Sequence, residues 1–243
     1  KCVTVRAHLL RLDSRKAFDS FSVTFLHAVL GNIGLRPWLG TLVKGLYMHA
    51  RVTPVFGNSP TGVWIDLGRG VRQGCPLSPL LFAIVMDPLV EQLRALPGVQ
   101  CFAFADYLAF SARYLHQLAP VMRIIDAFTG VSGLGINTDK TVLVSAGDLA
   151  PSKDWVRLSS PWTDLQVSDR CLYLGVMIGD VSTEDVFRVA MGKVRDRARS
   201  FYPITRTLSV QRRIHLFNIF ILPLLYYLMA FYILPDRFRK ELE

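Results

Sequence analysis

Two aspartates sit where apolar chain runs out. Asp13 closes the stretch Cys2 to Leu12, and Asp106 lies in the link Ala105-Asp106-Tyr107 between the apolar runs Gln100 to Phe104 and Leu108 to Ser111. A buried strand that delivers one carboxylate, beside a tight hairpin that delivers another, can hold Mg2+ ions. Such ions orient and neutralise a phosphoryl-transfer centre. Aspartate at a strand end also serves as a solvated cap, so the pair alone leaves both uses open.

Charge is the second chemical feature. Between Arg188 and Arg213 lie eight Lys or Arg against one acid, Asp196, which is seven of the nine net positive charges. Val186, Ala190, Val194, Ala198 and Phe201 form an apolar helical stripe there, with Arg188, Arg195 and Arg199 mainly on the other side. A helix buried on one face and basic on the other can grip duplex phosphates. It equally fits a solvated face or an acidic protein. The segment Ile214 to Leu234 then runs without Asp, Glu, Lys or Arg. As one helix it would span about 31 Å, close to a bilayer core. Pro223, His215 and Asn218 favour packing against the rest of the protein. A partner subunit or a membrane are the other possible neighbours.

Several elements must position these groups. Cys2 to Leu12 is expected to be a buried strand, Asp19 to Ile33 and Trp38 to Met48 helices, and Arg51 to Phe56 and Val63 to Leu67 strands. Ser78-Pro79 suits a helix start, with Ser78 as the cap and Pro79 in the first turn. Leu115 to Phe128 has a helical pattern and Thr141 to Ser145 a strand pattern. Ala146 to Asp164, rich in Pro, Ser and Asp, is expected to be a loop. Cys171 to Ile178 is a strand or hairpin, and the chain from Glu184 is helical. An α+β body over residues 1–183 and a helical tail over 184–243 follow.

The 243 residues suffice for one large domain or two small ones. With 51% hydrophobic and 19% charged residues the composition excludes a disordered chain. Gly and Pro fall without a period, which excludes collagen-like and repeat folds. The net charge of +9 and a pI near 9.7 point to a polyanionic partner or a merely basic surface, set against a mean hydropathy of +0.32. Cys2, Cys75, Cys101 and Cys171 lack metal-ligand spacing and are expected to be free thiols in a reducing, intracellular compartment. The opening Lys1-Cys2-Val3 has no secretory pattern and is expected to belong to a processed chain or a fragment.

Five segments in order resemble one family. Leu12-Asp13-Ser14-Arg15-Lys16-Ala17-Phe18-Asp19-Ser20 is similar to the first palm motif of reverse transcriptases from LINE-type non-LTR retrotransposons. The run from Gly70 to Phe82, with Arg72-Gln73-Gly74 and Leu77-Ser78-Pro79, resembles the second motif. Phe104-Ala105-Asp106-Tyr107 stands where the family has Phe-Ala-Asp-Asp. Gly133 to Thr141 resembles the fourth motif, and Tyr173-Leu174-Gly175 the one that leads to the thumb.

The resemblance implies a palm, an antiparallel sheet backed by helices, followed by a helical thumb. It implies an RNA-directed DNA polymerase ancestry, a template–primer of RNA and DNA as partner, Mg2+ as cofactor and a nuclear setting. It casts Asp13 and Asp106 as metal ligands, Phe18 as the gate against a ribose 2′-OH, and Lys140 as the group beside the leaving pyrophosphate. Gln73 and Gly74 would line the floor under nucleotide and template, where a small residue permits close backbone approach. Arg188, Arg195 and Arg199 would contact nucleic acid.

Two departures bear on activity. Tyr107 replaces the second motif aspartate, and phenol is a poor Mg2+ ligand. Only twelve residues precede Asp13, so the fingers are expected to be missing. Three functions follow. One is a catalytically silent derivative, needing no cofactor, that acts as a structural or binding subunit of a larger assembly, organellar or membrane-associated through Ile214 to Leu234. The others are an active polymerase core and a non-catalytic nucleic-acid clamp.

Overall fold

The computed structural model describes residues 7–48 and 50–242, so the expected strand residues Cys2 to Arg6 lie outside the described part. Five strands form one sheet: β1 (His8–Leu12), β2 (Val99–Phe104), β3 (Tyr107–Ala112), β4 (Val142–Ser145) and β5 (Gln166–Ser168). Their spatial order is β5-β4-β1-β3-β2, antiparallel throughout except for the parallel β4–β5 pair. β1 is central because Leu10 and Leu12 are fully buried, and their period of two turns both to the helical side.

Helices α1 (Val23–Asn32), α2 (Pro37–Tyr47), α3 (Ser78–Arg94), α4 (Leu118–Ser132) and α5 (Ala150–Ser159) complete this first unit. Val85, Leu89 and Leu93 of α3 join Val121 and Ile125 of α4 against the sheet. Each such side chain contributes roughly 1.5–3 kcal/mol by leaving water. This is the α+β palm expected from the sequence.

Three elements differ from expectation. The helix expected over Asp19 to Ile33 is interrupted: a single turn, Ala17–Ser20, precedes the fully buried Phe21, and Ser22 then caps α1 by accepting from the Phe25 N–H at 3.4 Å. Ser78 lies inside α3 rather than capping it; its hydroxyl donates to the Arg72 carbonyl at 2.6 Å. The supposed loop 146–164 contains α5. Asp148 accepts from the Ala150 N–H at 3.0 Å, Pro151 occupies the first turn, and Ser152 and Val156, one turn apart, are buried. Residues 51–66 form two short ladders, Arg51–Val52 with Ile65–Asp66 and Val55–Phe56 with Ser59–Pro60.

α5 is tied to the sheet by a chain of side chains. His8 Nδ1 lies 2.9 Å from Ser145 Oγ, which lies 2.7 Å from Ser152 Oγ. Burial pushes the His8 pKa below its usual 6.5. The unfolded chain therefore takes up a proton before the folded one does. Stability falls as pH drops from about 6.5 through the folded value and is fully kept above 6.5. Thermal melts across that window are expected to show the acid loss, and His8→Gln to flatten it; an identical profile in the variant would exclude the linkage.

A second unit begins at Arg170. It comprises the hairpin β6 (Arg170–Tyr173) and β7 (Val176–Gly179), then α6 (Thr183–Thr205), α7 (Val210–Leu216), α8 (Pro223–Met229) and α9 (Asp236–Leu242). The division falls before the hairpin rather than near 183. The hairpin belongs with the helices because the Tyr227 hydroxyl donates to the Leu174 carbonyl and Tyr232 to that of Met177. Phe187, Met191, Leu225 and Phe238 centre a separate apolar core.

The run Ile214 to Leu234 is not one helix. A π-helical turn, Phe217–Ile221, separates α7 from α8, with the Leu222 N–H reaching back to the Phe217 carbonyl at 2.9 Å. Pro223, which has no N–H, restarts the helix, and Arg197 donates to the nearby Phe220 carbonyl at 3.1 Å. Among the described residues no helix is long and apolar enough to cross a membrane.

Candidate active site

β1 and the β2–β3 hairpin meet at one end of the sheet. Leu12 pairs with Leu108, and Phe104 pairs with Tyr107, which leaves Ala105 and Asp106 as a two-residue turn. Tyr107 is thus the first residue of β3 rather than part of the tip. Just past the ladder, Ser14 Oγ donates to the Asp106 carbonyl at 3.5 Å. Asp13 and Asp106 thus lie on neighbouring pieces of backbone.

The Asp13 main chain is clamped from the other side. Its carbonyl accepts from the Asn137 N–H at 2.8 Å, and its own N–H points to Thr141 Oγ1 at 3.4 Å. Thr141 in turn donates to the Asn137 carbonyl at 2.8 Å. Lys140 is exposed in the short 3-10 turn Thr138–Lys140 and directly precedes Thr141. Lys16 and Ala105, the residues flanking the two aspartate segments, hold φ of +46° and +51°. Each is a side-chain-bearing residue in the left-handed region, a strain of about 1 kcal/mol or more concentrated at this end.

The ligand set differs from that of a two-ion site. Arg11, on the same strand, places Nη2 3.4 Å from Asp13 Oδ1, and both side chains are largely buried. Tyr107 offers a phenol where a third carboxylate would stand. Among the described residues no three His, Cys, Asp or Glu side chains gather as metal ligands. Asp13 and Asp106 are the side chains that would hold Mg2+ together with substrate phosphates, and with Asp13 opposed by a guanidinium they bring less negative charge than three carboxylates would.

The second motif packs against the first. Phe18 stacks on Phe82 with ring centres 4.4 Å apart, half-buried above the core. The Gly70 and Val71 N–H groups donate to the Phe21 and Phe18 carbonyls, both at 2.7 Å. A close approach of backbone to backbone within the protein occurs at Gly70. A Cβ on Gly70 would lie 2.3 Å from the Phe18 oxygen and 2.5 Å from Asp19 Cα, whereas one on Gly74 would meet nothing within 4 Å. Gly74 serves the turn, with φ of +85°.

Gln73 Nε2 lies 3.2 Å from each oxygen of Asp19. These residues line a cleft of about 610 Å3 with Tyr47, Arg69 and Arg72. Tyr47 donates to Cys75 Sγ at 3.7 Å, and the Leu77 N–H followed by the Tyr47 hydroxyl holds the Cys75 thiol below its ordinary pKa. Cys75 and Cys101 are half-buried free thiols, and Cys171 is buried. Asp19 and Gly70 escaped the sequence reading, although both lie within the motifs.

The basic residues of α6 are engaged to different degrees. Arg195 grips both oxygens of Glu241, with Nη2 to Oε2 at 2.7 Å, tying α6 to α9. Its position therefore serves packing. Arg188 pairs with Asp185 at 2.7 Å and Arg199 with Asp196 at 3.8 Å, yet both stay mostly exposed. Within the expected stripe Val186, Ala190 and Val194 are buried, while Ala198 is exposed.

Comparison with known proteins agrees with this geometry. Residues 4–178 match the model of the reverse transcriptase (RNA-dependent DNA polymerase) family. The retrovirus-related Pol polyprotein from the type-1 retrotransposable element R2 of Popillia japonica is 29% identical over 71% of this chain and 26% of its own length. That of the type-2 element R2DM of Drosophila melanogaster is 27% identical over 92% of this chain and 22% of its own. The chain thus spans about a quarter of the length of these relatives. The solved telomerase of Candida albicans, in complex with a fragment of telomeric RNA, has the same fold at TM-score 0.56 and 12% identity over 86% of this chain and 42% of that one. With the palm motifs arranged as the LINE-type resemblance implied, the chain belongs to the reverse transcriptase (RNA-dependent DNA polymerase) family.

Proposed function

We propose that this chain is a reverse-transcriptase-derived domain that has lost phosphoryl-transfer catalysis and acts as a binding subunit of a larger assembly. The carrying observation is the hairpin tip: Asp106 and Asp13 are positioned, but Tyr107 replaces the third carboxylate and Arg11 opposes Asp13. The scaffold that presents these groups is complete, while the charge that would collect two Mg2+ ions is not. Loss at one side chain, with the surrounding packing kept, fits a domain retained for what it holds.

The held partner is nucleic acid, a template–primer of RNA and DNA. Support comes from the family, from the RNA-bound state of the Candida telomerase, and from the exposed Arg188 and Arg199 on α6. Fluorescence anisotropy on a labelled RNA–DNA duplex is the test. Arg188→Ala with Arg199→Ala is expected to reduce the slope of log K against log salt by about two, one per lost phosphate contact. Absence of duplex binding by the wild type, or an unchanged slope, would count against this role.

A further inference from the structure

The pairing of Gln73 with Asp19 fixes more than a distance. A carboxylate only accepts hydrogen bonds, so it compels the Gln73 amide to turn its NH2 towards Asp19. The amide oxygen Oε1 is then the atom left to face a ligand. Without Asp19 the amide could flip and present donors instead.

Backbone contacts hold together the two segments that carry this pair. Asp19 sits on the turn Ala17–Ser20, and Gln73 on the loop that follows Gly70. The two segments are locked by the Gly70 and Val71 N–H bonds and by an approach too close for any Cβ at Gly70. The cleft beside them carries Arg69 and Arg72. Arg72 is itself held by the Leu46 carbonyl at 2.7 Å and lies over the Tyr47 ring. Cations for phosphate and one oriented acceptor for a hydroxyl or amino group describe a site for a nucleoside triphosphate.

We infer that Asp19 is a positioning residue: it sets the amide of Gln73 so that Oε1 accepts a hydrogen bond from a nucleotide bound in this cleft. This rests on reading the cleft as the nucleotide-facing floor of a reverse transcriptase palm. Asp19 itself touches no nucleotide in this role and acts only through Gln73.

A double-mutant cycle tests it, with a fluorescent N-methylanthraniloyl-dGTP titrated into the full chain bound to template–primer. Gln73→Ala and Asp19→Ala are each expected to weaken binding about fivefold, the equivalent of one hydrogen bond. Asp19→Ala in the Gln73→Ala background is expected to add nothing. A merely structural Asp19 would weaken binding equally in both backgrounds, and that result overturns the proposal while leaving the nucleotide site standing. A silent Asp19→Ala in the wild-type background overturns it too. If the wild type binds template–primer but no nucleotide, the floor reading falls and the inference with it. Independently of any ligand, the Gln73 side-chain amide resonances are expected to move in Asp19→Asn; unmoved resonances contradict the pairing itself.

Discussion

Gly70→Ala is expected to destabilise the first unit by about 3 kcal/mol or more, lowering its melting temperature by roughly 6–12 °C. Two penalties combine. A side chain at φ of +68° occupies the left-handed region, and its Cβ would overlap the backbone of Phe18 and Asp19. Neither neighbour is a flexible side-chain end that could swing away. Gly74→Ala is the control. Its φ of +85° brings the conformational cost alone, about 1 kcal/mol, because nothing lies within 4 Å of the new carbon. Equal losses in calorimetry would mean that the two motifs are not locked through Gly70.

Phe82→Ala is the second large effect, expected at about 3–5 kcal/mol. Phe82 is almost fully buried on α3, under the stacked ring of Phe18 and 6.2 Å from the Phe21 ring centre. Its removal leaves a cavity at the junction of core and site, so the loss should appear twice. Denaturant melts should show the lower stability, and Phe18, without its platform, should lose its fixed orientation. Difference emission, Phe18→Trp minus its parent with the four native tryptophans, reports this: it is expected to shift red when Phe82→Ala is present in both. A stability loss below about 1 kcal/mol with no spectral change would show that Phe18 is held by something else.

What the sequence disclosed and what it hid divide along physical lines. The palm, the hairpin and the two aspartates were legible because each rests on local pattern: Leu10 and Leu12 at period two, and a polar link between two apolar runs. α5 was hidden because Pro151, Ser152 and Asp154 carry loop composition, while its helix depends on a first-turn proline and on Ser152 and Val156 facing the core. The roles of Gly70 and Gly74 could not be separated from spacing. What distinguishes them is backbone about 50 residues away in sequence. Arg195 looked like a free phosphate contact because Glu241 lies 46 residues on. The apolar run at Ile214 showed its composition but not its break, which follows from Pro223 and the π-helical turn.

These corrections sharpen the functional account. Charge that the sequence placed on one helical face is partly spent within the fold: Arg195 on Glu241, Arg197 on the Phe220 carbonyl, and Arg213 on the Leu208 carbonyl at 3.0 Å. Arg188 and Arg199, though paired with Asp185 and Asp196, keep most of their surface exposed. At the sheet end, by contrast, the segments carrying Asp13 and Asp106 lie side by side and Tyr107 follows Asp106.

Primer extension on an RNA template, with Mg2+ or Mn2+ supplied, addresses that tyrosine most directly. The wild-type chain is expected to add no nucleotide, and Tyr107→Asp to gain extension that a further Asp13→Asn abolishes. Incorporation by the wild type that is lost in Asp13→Asn would contradict the account, because it would mean that two carboxylates and a phenol suffice.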